Sequence, residues 1–203
     1  MSNHYFAEEP DAAHRPGLVH VVLPDMHLAL DTDSGVFSPG RLDPGTRLLL
    51  DVAPPPPASG DVLDLGCGYG ALALVLASRA PAARVWGVDI NRRAIALCER
   101  NAGRAGLANV RCVAVTGTGP ADDRLPGRYD LIWSNPPIRI GKPALHDLLT
   151  DWLPRLDAGG VAWLVVHRHL GSDSLAAWLG EHGWDVTRTA SKRGYRILRV
   201  RRP

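Results

Sequence analysis

Residues 61–71 read DVLDLGCGYGA, and this stretch decides the fold of the chain. Its apolar residues Val62–Leu65 predict a buried strand, and the glycines at positions 66, 68 and 70 predict a tight turn that opens a helix. A glycine-rich turn between a strand and a helix lets the backbone approach a nucleotide closely. The stretch therefore predicts the first strand, turn and helix of a nucleotide-binding α/β domain.

Strand and helix patterns alternate on both sides of this stretch. After the helix at 70–79, strands are predicted at 84–89, 110–115, 129–134 and 160–167, with helices at 92–104, 143–153 and 172–181. Two closing strands, 184–189 and 195–200, flank a short turn at 191–194 that is typical of a hairpin. The pattern predicts a doubly wound, Rossmann-like α/β fold with a seven-stranded, mostly parallel sheet and a C-terminal antiparallel hairpin.

The N-terminal part lacks this alternation. Residues 1–17 are polar and aperiodic, so we expect a flexible arm. Residues 18–57 predict a small β lid with strands at 20–23 and 27–30, followed by a short helix at 43–51 and a proline-rich connector. Asp43 is suited to cap that helix, and Pro44 to its first position. Residues 58–203 then form the main domain.

Composition excludes several classes of protein. With 203 residues, 45% hydrophobic and 22% charged, the chain is typical of one soluble globular domain. It has no apolar run near the roughly 20 residues of a membrane helix and no signal-peptide pattern, so we expect a cytoplasmic protein without a membrane partner. Three cysteines without Cys-x-x-Cys spacing indicate free thiols and no metal site.

The net charge is only +2, but the charge is unevenly distributed. Residues 188–202 contain seven basic side chains and no acidic one. This run predicts a local basic face of the kind that contacts a phosphate backbone.

The glycine turn fits two cofactors. Gly66, Gly68 and Ala71 match a dinucleotide fingerprint, in which Asp89 would bind a ribose. However, Asp64 directly precedes the turn, where its carboxylate would repel a pyrophosphate but could bind the ammonium group of a methionine. This position favours S-adenosylmethionine over NAD, with Asp89 accepting both ribose hydroxyl groups.

The run Asn135-Pro136-Pro137-Ile138 follows the predicted strand 129–134. The amide oxygen of Asn135 and the carbonyl of Pro136 could accept both hydrogens of a planar amino group and turn its lone pair toward an electrophile. The two prolines restrict the backbone and fix the direction of these acceptors. The run therefore predicts methyl transfer to nitrogen without a metal.

With these motifs the chain resembles the class I methyltransferases over roughly residues 20–200. It is most similar to the methyltransferase small-domain family, which includes the guanine-N2 methyltransferases of bacterial small-subunit ribosomal RNA. The resemblance rests on Gly35–Ser38, Asp43–Thr46, Asp64–Gly70, Val88–Asn91 and the run from Ser134 to Lys142. It implies methylation of the exocyclic N2 of a guanine in 16S rRNA.

The resemblance completes the set of expected site residues. Catalysis would involve Asn135, Pro136, Pro137 and Ile138. S-adenosylmethionine would be bound by Phe37, Thr46, Asp64, Gly66, Cys67, Gly68, Gly70, Asp89, Ile90 and Asn135. RNA or the small ribosomal subunit would meet Arg139, Lys142, Lys192 and Arg193.

Two departures from the family leave questions open. Relatives often carry an acid after the third strand to hold the adenine amino group, whereas this chain has Thr116–Gly119 there. Relatives also often carry a second domain for RNA binding, so RNA would be held by this domain's own surface, a partner or an oligomer of unknown size. A tRNA guanine, a protein glutamine, a small-molecule amine and a non-catalytic role in ribosome assembly remain alternatives.

Overall fold

The computed structural model describes residues 8–117, 119–120, 122–137 and 140–203. The strands are β1 (Gly17–Leu23), β2 (Met26–Thr32), β3 (Ser59–Leu65), β4 (Ala82–Asp89), β5 (Val110–Ala114), β6 (Tyr129–Ser134), β7 (Leu156–His167), β8 (Asp185–Lys192) and β9 (Tyr195–Arg201). The helices are α1 (Pro44–Val52), α2 (Ala71–Arg79), α3 (Arg92–Arg104), α4 (Lys142–Trp152) and α5 (Ser172–Glu181).

Seven strands form one sheet in the order β5-β4-β3-β6-β7-β9-β8. The pairs from β5 to β7 are parallel, and β9 runs antiparallel to both β7 and β8. The structure therefore confirms the predicted doubly wound fold and its C-terminal hairpin. The hairpin turns at Arg193 and Gly194, whose φ angles of 48° and 85° suit a two-residue connection.

Both faces of the sheet are buried. Alternate residues of β3 point to opposite faces, so that Val62 belongs to the hydrophobic cluster of α1, α2 and α3, and Leu63 to the cluster of α4 and α5. In α2 every residue from Ala71 to Ala77 is buried. A central strand covered on both sides accounts for the continuous apolar pattern that predicted β3.

The predicted lid is a hairpin of β1 and β2 that turns at residues 24–25. Its inward-facing residues, Val19, Val21, Leu23 and Leu30, join the same hydrophobic cluster as α2 and α3. Asp43 caps α1 as predicted, since its carboxylate accepts hydrogen bonds from the backbone N–H groups of Gly45 and Thr46. The division of the chain into arm, lid and main domain stays a prediction.

Among the described residues, no helix is both long enough and apolar enough to span a membrane.

Asn101 of α3 connects the β1–β2 hairpin to the glycine turn. Its side chain is 1% exposed, donates to the carbonyls of Asp31 and Tyr69 at 2.9 Å, and accepts from the backbone N–H of Asp31 at 2.7 Å. Asp31 belongs to β2, and Tyr69 to the glycine turn that precedes α2. One buried amide therefore holds two segments against α3.

We expect Asn101→Ala to lower the free energy of unfolding by roughly 3 kcal/mol, because it leaves buried backbone groups of Asp31 and Tyr69 without partners. Urea unfolding measures this change. Arg100→Ala, at an exposed position one residue earlier, is the matched control and should change stability by less than about 0.5 kcal/mol. Equal effects of the two substitutions would contradict this role of Asn101.

Candidate active site

The main cavity lies at the carboxyl ends of the central strands and has a volume of about 300 Å³. The register of the sheet creates it, because Leu65 at the end of β3 lies beside Val88 of β4 and Ser134 of β6. The chain leaves all three strands at this edge. Predicted site residues in the wall are Phe37, Gly66, Asp89, Ile90, Asn135, Pro136 and Pro137.

A smaller cleft of about 20 Å³ shares Phe37, Gly66 and Asn135 with the main cavity. Its wall brings together four further predicted residues, Thr46, Asp64, Cys67 and Gly68. Gly70 lies in the wall of neither cavity. It adopts φ +97°, and a Cβ there would lie 2.7 Å from both Cys98 Sγ and Leu74 Cδ1, so packing at the start of α2 requires this glycine.

The glycine turn is tied to the end of β4. Gly66 and Cys67 donate their backbone N–H groups to the carbonyl of Val88, both at 2.9 Å. Gly68 donates to the carboxylate of Asp89 at 2.9 Å. These bonds fix the turn beside the acid that was predicted to bind the ribose.

Asp64 is fully buried and only partly hydrogen-bonded. Its Oδ2 accepts from the N–H of Ala73 at 2.9 Å, whereas its Oδ1 has no hydrogen-bond partner among the described residues. Burial raises the pKa of Asp64 to about 8, and the nearby charge of Asp89 adds to this effect. A buried carboxylate oxygen in the wall of a cleft fits a cationic group such as an ammonium.

Asp89 is the second acid of the site. Burial raises its pKa above the usual range, although hydrogen bonds from the backbone N–H groups of Asn91, Gly68 and Ile90 oppose the shift. The N–H of Asn91 donates to Oδ1 and that of Gly68 to Oδ2, each at 2.9 Å. Each oxygen keeps further acceptor capacity, which suits a pair of hydroxyl groups.

The side chain of Asn135 is held by two residues at the start of α1. Its Nδ2 donates to Oδ2 of Asp43 at 2.9 Å and to Oγ1 of Thr46 at 3.0 Å. Because a carboxylate can only accept, the nitrogen of the amide must face Asp43. Both amide hydrogens are then used, and the amide oxygen is the atom that can accept a hydrogen bond from a substrate.

Sequence reasoning used Asp43 as a helix cap and as part of the family motif Asp43–Thr46, but it missed this contact with Asn135. It also missed three apolar residues of α4 in the cavity wall, Ala144, Leu148 and Trp152. Their spacing of four residues places them on one helical face, a signal that the sequence does contain. Ile138 and Arg139 lie outside the described residues.

The predicted basic face at 188–202 is wrong as a single surface. Arg188 and Arg196 pair with Asp173, and Arg199 with Asp185. Since β9 runs antiparallel to β7, Arg201 lies beside Val161, away from the cavity edge of the sheet. The acidic partners come from outside the basic run, so the run itself could not reveal them.

Lys142, Arg168, Lys192 and Arg193 lie at the same edge of the sheet as the cavity, where α4 begins and β7 ends, and we call them the basic rim. The backbone N–H of Arg168 donates to the carbonyl of Gly194 at 2.7 Å, so Arg168 lies next to the turn at Arg193. All four side chains are exposed, and within the described part of the chain none forms a salt bridge. The predicted RNA contacts Lys142, Lys192 and Arg193 thus share one edge.

The described cysteines, Cys67, Cys98 and Cys112, are free thiols. No group of three or more His, Cys, Asp or Glu side chains suited to a metal occurs among the residues that the structure describes.

The raised pKa of Asp64 predicts a pH-dependent stability. The folded protein holds a proton on Asp64 up to about pH 8, whereas the unfolded chain releases it near pH 4. The folded state therefore binds more protons between these values, and the free energy of unfolding should fall as the pH rises from 5 to 8. Asp64→Asn should make this fall smaller, as measured by urea unfolding at both pH values.

Asp61→Asn is the control for this experiment. A hydrogen bond from Arg84 lowers the pKa of Asp61, so this carboxyl is ionised in both states from pH 5 to 8. The substitution should leave the difference between the two pH values unchanged. If Asp64→Asn also leaves it unchanged, Asp64 does not hold a proton in the folded protein.

Comparison with known proteins identifies the family. The family model described as methyltransferase small domain matches residues 27–199. An uncharacterised protein of Bacillus subtilis, YbxB, is 33% identical over the full length of both chains. Ribosomal RNA small subunit methyltransferase C of Shewanella halifaxensis is 38% identical over 80% of this chain and 46% of its own length.

Among solved structures, the T. thermophilus 16S rRNA N2 guanine methyltransferase RsmC, in complex with AdoMet and guanosine, matches with a TM-score of 0.73 and 26% identity. The match covers 93% of this chain and 51% of RsmC. The chain thus spans about half the length of the ribosomal RNA methyltransferases that it matches. It belongs to the methyltransferase small-domain family and is a methyltransferase that uses S-adenosylmethionine.

Proposed function

We propose that this protein methylates the exocyclic N2 of a guanine in 16S rRNA. The observation that carries the proposal is the orientation of Asn135. Asp43 and Thr46 hold its amide nitrogen, so its amide oxygen can accept a hydrogen from a planar amino group in the cavity. The resemblance to RsmC, whose structure contains guanosine, supports guanine as the acceptor.

In this proposal the buried Asp64 and the partly buried Asp89 hold opposite ends of the cofactor. Oδ1 of Asp64 binds the methionine ammonium, and Asp89 accepts from the ribose hydroxyls. The turn through Gly66, Cys67 and Gly68 supplies backbone between these acids. Phe37, in the loop before α1, and Thr46, in α1, cover or orient the cofactor. Ile90 lies beside Asp89 in the cavity wall.

When bound, S-adenosylmethionine would supply a methyl group on a positively charged sulfur, and breaking that carbon–sulfur bond would leave the neutral thioether of S-adenosylhomocysteine. The amide oxygen of Asn135 and the carbonyl of Pro136 accept the two hydrogens of the guanine amine, which directs the nitrogen lone pair at that methyl group. Alignment matters more here than a strong base, and the proton leaves to water after transfer. The guanine must be unpaired or flipped to reach the cavity.

The basic rim is the proposed RNA contact. Lys142, Arg168, Lys192 and Arg193 stand at the edge through which a flipped base would enter, and they are not neutralised by carboxylates of the described chain. Contacts with flanking phosphates would position the RNA without reading its sequence.

Methyl incorporation tests the proposed function. Labelled S-adenosylmethionine is supplied with purified 30S subunits, 50S subunits, tRNA and total protein, followed by mass spectrometry of the nucleosides. We expect N2-methylguanosine in the 30S fraction. We expect Asn135→Ala to lower the rate of transfer about 100-fold or more, because one of the two acceptors for the amine is lost.

The rate of Asn135→Ala is measured at saturating S-adenosylmethionine, so that a change in cofactor affinity does not enter, and its unfolding curve should show a folded protein at the assay temperature. Label found only in tRNA or protein would refute 16S rRNA as the substrate. Label in no fraction would refute the enzymatic proposal and favour a non-catalytic role in ribosome assembly.

If the basic rim contacts RNA phosphates, removing its charges should weaken RNA binding and make that binding less dependent on salt. The double variant Lys192→Gln, Arg193→Gln should weaken RNA binding about tenfold and lower the slope of log affinity against log salt concentration by about two. Filter binding of 16S rRNA fragments at several salt concentrations measures both quantities. Arg201→Gln removes an exposed charge at the opposite edge and should have little effect. Equal weakening by both variants would argue against a localised rim.

A further inference from the structure

Residues 8–16, which we call the N-terminal strap, are attached to the start of α3. The N–H of Arg92 donates to the carbonyl of Glu8 at 3.0 Å. The guanidinium of Arg93 donates to the carbonyls of Ala12 and Ser34 at 2.8 Å, and to that of Pro10 at 3.4 Å. An irregular segment is thus fixed mainly through its backbone carbonyls.

Packing and polar contacts farther along the strap add to this attachment. A Cβ on Gly35 would lie 2.8 Å from the Cβ of Pro10, so the strap and the loop before α1 are in close contact. His14 hydrogen-bonds the buried carboxylate of Asp33 at 2.5 Å, and the N–H of Arg15 donates to the same group. Ala12 is only 8% exposed.

The residues that hold the strap are next to Asp89, the proposed ribose ligand. The amide of Asn91 donates to the carbonyl of Gly35 at 2.7 Å, and the backbone N–H of Asn91 donates to Asp89. Asn91 also caps α3, the helix whose first residues hold the strap. The strap is therefore positioned by the same short stretch, residues 89–93, that carries the proposed ribose ligand.

Glu8 reaches the main cavity. It forms part of the wall together with Asp89, Ile90, Val115 and Gly117. Among the described residues of that wall, Glu8 and Asp89 are the only carboxylates. The first acid after β5 is Asp122, which is bound bidentately by Arg124 at 2.9 and 2.7 Å. The next acid, Asp123, is exposed, and neither it nor Asp122 belongs to the cavity wall, so the described residues after β5 supply no carboxylate to that wall.

We propose that the carboxylate of Glu8 accepts a hydrogen bond from the adenine amino group of S-adenosylmethionine, and that Arg93 positions the strap for this contact. An amino group that enters a mostly apolar cavity needs an acceptor, and a carboxylate forms the stronger, charge-assisted bond. Because the strap is already attached, little further ordering is needed on binding. The inference concerns the cofactor and is independent of which substrate is methylated.

Isothermal titration calorimetry with two ligands tests the contact. The ligands are S-adenosylhomocysteine and its analogue with hydrogen in place of the adenine amino group. Glu8→Ala should weaken S-adenosylhomocysteine about five- to tenfold and leave the affinity for the analogue unchanged. Glu9→Ala, at the exposed neighbouring position, should leave the affinities for both ligands unchanged.

Two outcomes would overturn this proposal. If Glu8→Ala weakens both ligands equally, its effect does not pass through the amino group. If it weakens neither, Glu8 makes no contact with the cofactor. Both readouts concern binding alone, so they do not depend on finding the methyl acceptor.

Arg93→Gln tests whether Arg93 positions the N-terminal strap for the contact that Glu8 makes. Hydrogen exchange of the amides at 8–16 should become faster, and S-adenosylhomocysteine should bind as weakly as it does to Glu8→Ala. Combining the two substitutions should add little further loss, because both remove the same contact. Arg92→Gln keeps the backbone N–H that holds Glu8 and should leave exchange in the strap unchanged. Fully additive losses from Glu8→Ala and Arg93→Gln would refute the positioning role.

Discussion

The site depends on the parallel register of β3 between β4 and β6. Leu65 lies beside Val88 and Ser134, the hydroxyl of Ser134 donates to the carbonyl of Leu65 at 2.7 Å, and the glycine turn is anchored on the carbonyl of Val88. A shift of one residue would turn the side chain of Asp64 to the other face of the sheet. Strand pairing therefore fixes the positions of Asp64 and Asp89, the two acids of the candidate site, before any side-chain contact does.

In the proposed cofactor site, a cationic ligand would be bound by carboxyl groups whose ionised form is disfavoured in the free protein. Burial raises the pKa of both Asp64 and Asp89, and the nearby charge of Asp89 raises the pKa of Asp64 further. The positive charges of S-adenosylmethionine would favour the ionised form of these acids, which burial disfavours in the free protein.

Elements defined by local patterns could be predicted from the sequence, and contacts between distant residues could not. The predicted bounds of α3, β6 and α5 match the structure, because apolar periodicity and capping residues mark them. The bond between Asp43 and Asn135 joins positions 92 residues apart and leaves no periodic trace. The attachment of residues 8–16 could not be predicted either. Arg93 binds backbone carbonyls, which are present at every residue and leave no mark in the sequence.

The strand β8 stands at the edge of the sheet, and in the described chain it pairs only with β9. An unpaired strand edge is a template for a strand of a second molecule, which is one route to aggregation. Here the register shifts between Arg188 and Ala190, and exposed charges at Asp185 and Lys192 stand at the two ends of the strand. A bulge and charged ends disfavour an eighth strand, so the hairpin that presents Arg193 also disfavours strand pairing with a second molecule at the β8 edge.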